Sequence, residues 1–206
     1  FDVAAVIDAP AGGAIAGLLG MRQPLVLRLG GDGRWTDWRG TLRADLGANA
    51  LADLALRATR GRFALTGIVR PALITSGRVA TLAGPAMRVI GNARLDARRV
   101  QLGVALASPS LALGANGQLD LANSEFDAMR VEARLLRPQA VLPTLSGRAI
   151  AARVLLDGPF ATAAFDYAIT APRVAVGTTG FDDVRIVGRG RLSRQPVIVP
   201  LALTVR

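Results

Sequence analysis

The stretch Trp38–Leu46, with the sequence WRGTLRADL, alternates apolar and polar residues and indicates the fold class. Its apolar positions are Trp38, Leu42, Ala44 and Leu46, and the polar positions between them are Arg39, Thr41, Arg43 and Asp45. Successive residues of a strand point to opposite faces of a sheet, so this spacing predicts a strand with one apolar and one solvated face.

The same alternation continues along most of the chain and predicts a succession of half-solvated strands. Strands of parallel sheets are covered on both faces and form continuous apolar runs, so one-sided strands favour an antiparallel meander. We therefore predict a mainly β fold, an elongated antiparallel sheet with one or two short helices. No linker or charge block divides the chain, and the whole range 1–206 is predicted to be one segment of a longer sheet. It begins and ends within this pattern, as expected for a piece of a longer protein.

Clusters of turn-forming residues between the alternating runs predict where the chain reverses. They are Gly30–Gly33, Arg60–Gly61, Ser108–Pro109, Ala122–Ser124, Asp157–Pro159, Gly177–Gly180 and Arg194–Pro196. Two stretches have helical spacing. They are Ala11–Leu19 and Pro138–Leu145, the second with a proline where a helix begins.

The chain carries 25 basic and 15 acidic residues, and every basic residue is arginine. Nucleic-acid interfaces usually combine lysine with arginine and concentrate the charge in one patch. The arginines of this chain are dispersed among apolar residues, which favours a solvated sheet face over nucleic-acid binding. Contact with anionic headgroups or glycans stays open.

Neither cysteine nor histidine occurs in the chain. Their absence excludes disulfides, thiol nucleophiles, Ser-His and Cys-His catalysis and most structural zinc sites. Asp182-Asp183 is the only adjacent carboxylate pair, and neighbouring strand residues face opposite sides. A turn leading into a strand at Val184–Val187 is therefore favoured over a glycosidase pair, and Asp157 is likewise predicted to be a turn residue. We expect no enzymatic activity, no cofactor and no metal site.

Three other motifs have structural explanations. Gly30–Gly33 lacks the lysine and the following helix of a phosphate-binding loop. Trp35 and Trp38 fall on opposite faces of a strand, which favours packing over a shared stacking platform. The GRGR sequence of Gly188–Arg191 continues the alternation before it, so a plain strand with outward arginines is favoured over a nucleic-acid motif.

The predicted helices are too small to cover the apolar face of some fourteen strands. The sheet therefore either closes on a second sheet as a sandwich or curls into an open trough. An acyl chain of about 16 carbons that enters a trough would gain on the order of 10 kcal/mol. The residues predicted to line such a groove are Leu25, Leu27, Leu29, Leu42, Leu46, Phe63, Leu65, Val69, Val89, Leu95, Leu111, Leu113, Leu119, Val131, Leu135, Ile150, Val154, Val184 and Ile186.

Two strings, GRAIAARVLLDGPF at Gly147–Phe160 and FDYAITAPRVAVGTTGFDDVRIVGRGR at Phe165–Arg191, resemble the periplasmic β-rich part of the TamB family, the translocation and assembly module proteins of the AsmA-like group. Gly61–Pro71 and Ala83–Ala97 are similar more loosely. The resemblance implies a curved, U-shaped β-taco groove in the periplasm. The parent protein would be anchored in the inner membrane and would reach a TamA-like outer-membrane barrel.

Three functions follow from these expectations. The resemblance implies a conduit whose groove contacts phospholipid acyl chains and moves lipid between the two membranes. A second function is a scaffold that guides outer-membrane β-proteins, such as autotransporters, by strand addition at its open edges. A third is a β-sandwich that binds glycans or surface partners.

Overall fold

The computed structural model describes residues 2–10, 23–34 and 36–192, and the backbone of 201–204. Strands make up 71% of the residues that the structure describes, so the prediction of a mainly β fold is confirmed. The strands are β1 (Asp2–Ala9), β2 (Leu25–Arg34), β3 (Asp37–Leu46), β4 (Asn49–Thr59), β5 (Arg62–Val69), β6 (Met87–Asp96), β7 (Arg99–Ala107), β8 (Leu111–Asp120), β9 (Glu125–Leu135), β10 (Leu145–Arg148), β11 (Ile150–Pro159), β12 (Ala164–Val176), β13 (Thr179–Arg191) and β14 (Leu201–Thr204).

The chain divides into two compact units, residues 1–92 and 93–206, with the boundary inside β6. Within each unit the strands pair antiparallel and in chain order, so the predicted antiparallel meander is confirmed. One described strand, β10, departs from this order. Long strand β12 pairs with β11 along 164–170 and with β10 along 173–176, so the two shorter strands share its length. The single-segment organisation and the groove stay predictions.

The helix of the described residues lies where no helix was predicted. Helix α1 spans Gly77–Ala83 and ends at Gly84, whose φ of 64° is left-handed and whose N–H donates to the carbonyl of Ala80 at 2.9 Å. Glycine reaches this conformation at little cost, which is why it so often terminates helices. The chain also makes a 3-10 turn at Pro71–Leu73.

The prediction of a helix at Pro138–Leu145 is wrong in extent. Only a 3-10 turn forms, at Pro138–Ala140, and Leu145 already begins β10. A second proline, Pro143, disfavours the helical conformation at the residue before it and cannot donate a backbone hydrogen bond. The predicted helix at Ala11–Leu19 and the predicted turn at Arg194–Pro196 lie outside the described residues.

Three predicted turns are wrong because the residues belong to strands. Gly30–Gly33 lies inside β2, the Asp182-Asp183 pair lies inside β13, and Asp157–Pro159 ends β11. The chain reverses after β11 only when the N–H of Thr162 donates to the carbonyl of Pro159, at 2.9 Å. The turns at Arg60–Gly61, Ser108–Pro109 and Ala122–Ser124 lie between strands as predicted, and the Gly177–Gly180 turn is confined to 177–178.

A β-bulge in β9 keeps the apolar side chains in phase. Phe126 pairs with Leu119, and Val131 pairs with Ala115 on the same strand, β8. Leu119 and Ala115 are four residues apart and therefore share a face. Their partners Phe126 and Val131 are five residues apart, yet they share that face as well, because the bulge adds one residue between them. The extra residue places Ala128 at a φ of 49°, and its N–H donates to a carboxylate oxygen of Asp157 at 3.2 Å. Asp157 therefore provides a hydrogen-bond acceptor for the backbone N–H of Ala128, which the bulge leaves without a partner on the neighbouring strand.

Candidate apolar binding face

The backbone register of the first unit brings its predicted lining residues to one face. Leu29 lies opposite Leu42, which lies opposite Leu54 on β4. Opposite residues of an antiparallel pair share a face, so these leucines form a column across three strands. The remaining predicted residues on this face of β2 to β5 are Leu25, Leu27, Leu46, Phe63, Leu65 and Val69.

Val89 of β6 lies on the same face, as the position of Gly91 on that strand indicates. A Cβ added at Gly91 would lie 2.9 Å from Cγ of Leu65, so Gly91 lies under that leucine side chain. Val89 is two residues from Gly91 and points the same way. We call these residues, from Leu25 to Val89, the apolar face of the first unit.

The second unit carries an equivalent apolar face. Val131 lies opposite Val154, and Val154 lies opposite Tyr167 on β12. Leu135 lies opposite both Leu111 and Ile150, which makes a second column. The other predicted residues on this face of β8 and β13 are Leu113, Leu119, Val184 and Ile186. Leu95, at the end of β6, is 43% exposed.

Most of the predicted lining remains accessible. Leu25, Leu46 and Val89 are buried, Phe63 and Leu95 are exposed, and the other fourteen of the nineteen residues are partly exposed. Neighbouring side chains of the sheet therefore contact these residues without sealing them from solvent.

Little of the described chain packs as a core. In the first unit a small cluster forms where Ala9, Leu25 and Leu46 lie side by side, each 5% exposed, together with Ala44. Helix α1 buries only Ala83. This seven-residue helix therefore contributes little to the core of the first unit.

Aromatic rings lie against glycines at two places on the apolar faces. In the first unit a Cβ added at Gly31 or Gly40 would come within 2.4 or 2.3 Å of ring carbons of Trp38. In the second unit Tyr167 lies over its register partner Gly188, and Phe165 lies over Gly190. Of the β2 glycines that were predicted to form a turn, Gly31 therefore makes room for a ring.

These rings also explain the GRGR sequence of β13. Gly188 and Gly190 face the rings, whereas Arg189 and Arg191 are exposed on the opposite face. The predicted strand with outward arginines is confirmed. Trp38 packs against the sheet, as predicted for a packing role, and Trp35 lies outside the described residues. Sequence reasoning missed Tyr167 and Phe165, for which alternating glycines on the next strand were the available signal.

Two polar atoms of the apolar faces have no hydrogen-bond partner within the described residues. They are the indole Nε1 of Trp38 and the hydroxyl of Tyr167, and both atoms are buried. A buried polar atom without a partner lowers stability by about 1–3 kcal/mol. Both atoms belong to rings that lie against glycines, and this packing is what buries them.

The opposite face of each unit carries the charges, and we call it the charged face. Arg28 and Arg43 lie directly opposite each other on β2 and β3, a like-charge pair that is unfavourable by itself. Asp45 accepts a hydrogen bond from both, with its Oδ1 3.1 Å from Nε of Arg43. In the second unit Arg153 and Glu132 pair at 3.0 Å. Carboxylates thus lie beside arginines on the charged face of both units.

The carboxylates weighed for catalysis have structural contacts. Asp182 forms an ion pair with Arg173, its register partner, with 3.1 Å between Oδ1 and Nε. Asp183 has a φ of 49°, a local strain inside β13. Within the described ranges, no group of three acidic side chains is placed to hold a metal ion.

Asp120, at the end of β8, accepts hydrogen bonds from the turn that follows it. The backbone N–H of Asn123, foremost, and that of Ala122 lower the pKa of Asp120 below its usual 3.8.

None of the helices in the described ranges is long and apolar enough to cross a membrane. No protein-family model, no curated protein and no solved structure matches this chain.

Proposed function

We propose that the apolar face of this sheet binds the acyl chains of phospholipids, as a periplasmic segment of an inner-membrane-anchored bridge that moves lipid toward the outer membrane. The observation that supports this most directly is that fourteen of nineteen aliphatic and aromatic lining positions share one face in their unit and stay partly exposed. The resemblance to the TamB family supplies the periplasmic setting and the TamA-like partner of the parent protein.

The physical basis of binding is transfer of methylene groups from water to aliphatic side chains. Each buried CH₂ contributes about 0.8 kcal/mol, so a chain of about 16 carbons contributes on the order of 10 kcal/mol. The gain is smaller where the lining side chains are already shielded from water. The columns at Leu29–Leu42 and Val131–Val154 present similar aliphatic side chains one after another. A lipid would find no strongly preferred position along them, and this permits sliding.

A matched pair of aspartate substitutions tests the proposal. Leu113 of β8 lies on the apolar face opposite Ala133, and its neighbour Ala112 lies on the charged face opposite Arg134. Both side chains are partly exposed. Leu113→Asp would place a carboxylate against the acyl chain, whereas Ala112→Asp would place one beside an arginine.

The measurement is native mass spectrometry and lipid extraction of the purified chain, followed by titration with a fluorescent acyl phospholipid. We expect bound phospholipid on the wild type and on Ala112→Asp, and about tenfold weaker binding by Leu113→Asp because about two methylene contacts are lost. Absence of bound acyl lipid from the wild type, or equal binding by the two variants, would contradict the proposal.

A second candidate is a scaffold for outer-membrane β-proteins, and the edge strand β1 favours it. Among the described residues β1 pairs only with β2, so the backbone groups of its other edge are available to an added strand. Val6 and Ile7 on this strand are 62% and 50% exposed. Photocrosslinking from positions 6 and 113 separates the two functions, because a scaffold crosslinks protein from β1 and a conduit crosslinks lipid from Leu113.

A further inference from the structure

A concavity of about 690 Å³ opens on the charged face of the second unit, beside the turns that follow β6 and β8. The side chains of Arg94, Arg98 and Arg99 line it together with the amides of Gln101 and Gln118. The two glutamines are register partners on β7 and β8. Their neighbours along the strands, such as Leu102 and Leu119, point to the apolar face, so the concavity is separated from that face by the thickness of the sheet.

Arg94 and Arg98 form no ion pair among the described residues, whereas Arg99 lies opposite Asp120, its register partner, and is attracted to that carboxylate without forming a close ion pair. The described ion pairs of the second unit use Arg153 and Arg173 instead. An unpaired guanidinium keeps its five N–H donors available in a planar fork that fits the oxygens of phosphate groups. Two such groups, the guanidinium of Arg99 and two side-chain amides surround one open space and provide donors from several directions.

The carboxylates of the concavity compete with an anion to different degrees. Both oxygens of Asp120 already accept hydrogen bonds from the following turn, at 2.8 Å from the N–H of Ala122 and at 3.1 Å from the N–H and from Nδ2 of Asn123. These bonds hold Asp120 toward its own backbone. Asp96 is exposed and has no such bonds, so it is the carboxylate that would oppose an incoming anion.

We propose that the concavity formed by Arg94, Arg98, Arg99, Gln101 and Gln118 binds a phosphate group, carried either by a free phosphate compound or by a phospholipid headgroup. The site lies on the charged face and contains none of the predicted lining residues. It therefore does not depend on lipid binding by the apolar face.

Two probes distinguish the sources of the phosphate. Inorganic phosphate is titrated into the full chain in a calorimeter, and vesicles of phosphatidylglycerol in phosphatidylcholine are sedimented with the chain. The site variant replaces Arg94, Arg98 and Arg99 by glutamine, and we expect it to bind the responding probe at least about tenfold more weakly because charge-assisted hydrogen bonds are lost. Response to phosphate alone assigns free phosphate compounds, and response to vesicles alone assigns the headgroup.

The matched control replaces Arg130, Arg134 and Arg189, which are exposed on the charged face of the same unit and form none of its described ion pairs. It removes the same charge and should retain nearly full binding. Asp96→Asn should strengthen binding about threefold, the effect of one unit charge about 6 Å away in water. Equal losses in the two triple variants, or no binding of either probe by the wild type, would overturn the proposal.

Discussion

Adding one methyl group at Gly188 tests how closely the ring of Tyr167 lies on the second unit's sheet. A Cβ at this position would be 2.5 Å from both Cε1 and the hydroxyl oxygen of Tyr167, whereas ordinary contacts lie at 3.4–4 Å. The ring would have to retreat by about 1 Å or leave its rotamer, and overpacking of this kind costs about 1–3 kcal/mol. Glycine to alanine otherwise stabilises by about 0.4–1 kcal/mol through the unfolded chain. We therefore expect Gly188→Ala to lower the free energy of unfolding by about 1–2 kcal/mol.

Gly114 on β8 provides the control, because a Cβ added there meets nothing within 4 Å and its φ is not left-handed. Gly114→Ala should raise the free energy of unfolding by about 0.4–1 kcal/mol. In a Tyr167→Ala background the clash at Gly188 disappears, and Gly188→Ala should become stabilising as well. The difference between the two backgrounds is then a coupling energy of about 2 kcal/mol.

The assay is equilibrium urea unfolding followed by circular dichroism. Tyr167 is the only tyrosine of the chain, so tyrosine absorbance reports separately on displacement of this ring. If Gly188→Ala proved as stable as Gly114→Ala, or if its effect were the same without the Tyr167 ring, the ring would not lie on the glycine and the explanation of the GRGR sequence would be wrong.

Two further predictions concern the charged face. Asp45→Asn leaves Arg28 and Arg43 opposite each other without a carboxylate between them, and it should lower the free energy of unfolding by about 0.5–1 kcal/mol. This loss should grow as the salt concentration is reduced from about 1 M to about 0.01 M, because screening weakens. A loss in urea titrations that does not depend on salt would argue against the electrostatic cause. Asp120 has a folded-state pKa below 3.8, so its charge contributes stability that is fully present above pH 3.8 and is lost as the pH falls through the folded-state pKa. The difference in urea midpoint between wild type and Asp120→Asn should therefore shrink with acidification below pH 3.8, and a constant difference would show that the charge is not involved.

The strands and their faces could be predicted because alternation is a local property. Leu42 and Arg43 face opposite sides whichever strands lie beside them, so the lining residues of each unit could be assigned from the sequence. The bulge at Ala128 could not, since alternation alone puts Phe126 and Val131 on opposite faces. Their common face depends on residues of the neighbouring strands, namely Leu119 of β8, which pairs with Phe126, and Asp157 of β11, which accepts the hydrogen bond of the bulge.

Glycine was the least reliable local signal in this chain. Gly31 was predicted to lie in a turn, yet it lies within β2, where the ring of Trp38 on the next strand occupies the space that a side chain would need. Helix α1 had local signals in Ser76 before it and Gly84 after it, but glycine, valine and threonine within it are weak helix formers. The arginine concavity was beyond prediction, since strand register brings Gln101 and Gln118 together and N–H groups of the following turn occupy the oxygens of Asp120.

The chain-order pairing of the strands has a consequence for how such a sheet is built and lengthened. Each strand within a unit depends mainly on the strands before and after it in the sequence, so stability is approximately a sum of nearest-neighbour terms, as in repeat proteins. Contacts of short sequence separation also allow folding to spread from one hairpin to the next as the chain is synthesised. Insertion of one more hairpin would lengthen a unit by about 10 Å and would alter only the interfaces on either side of it.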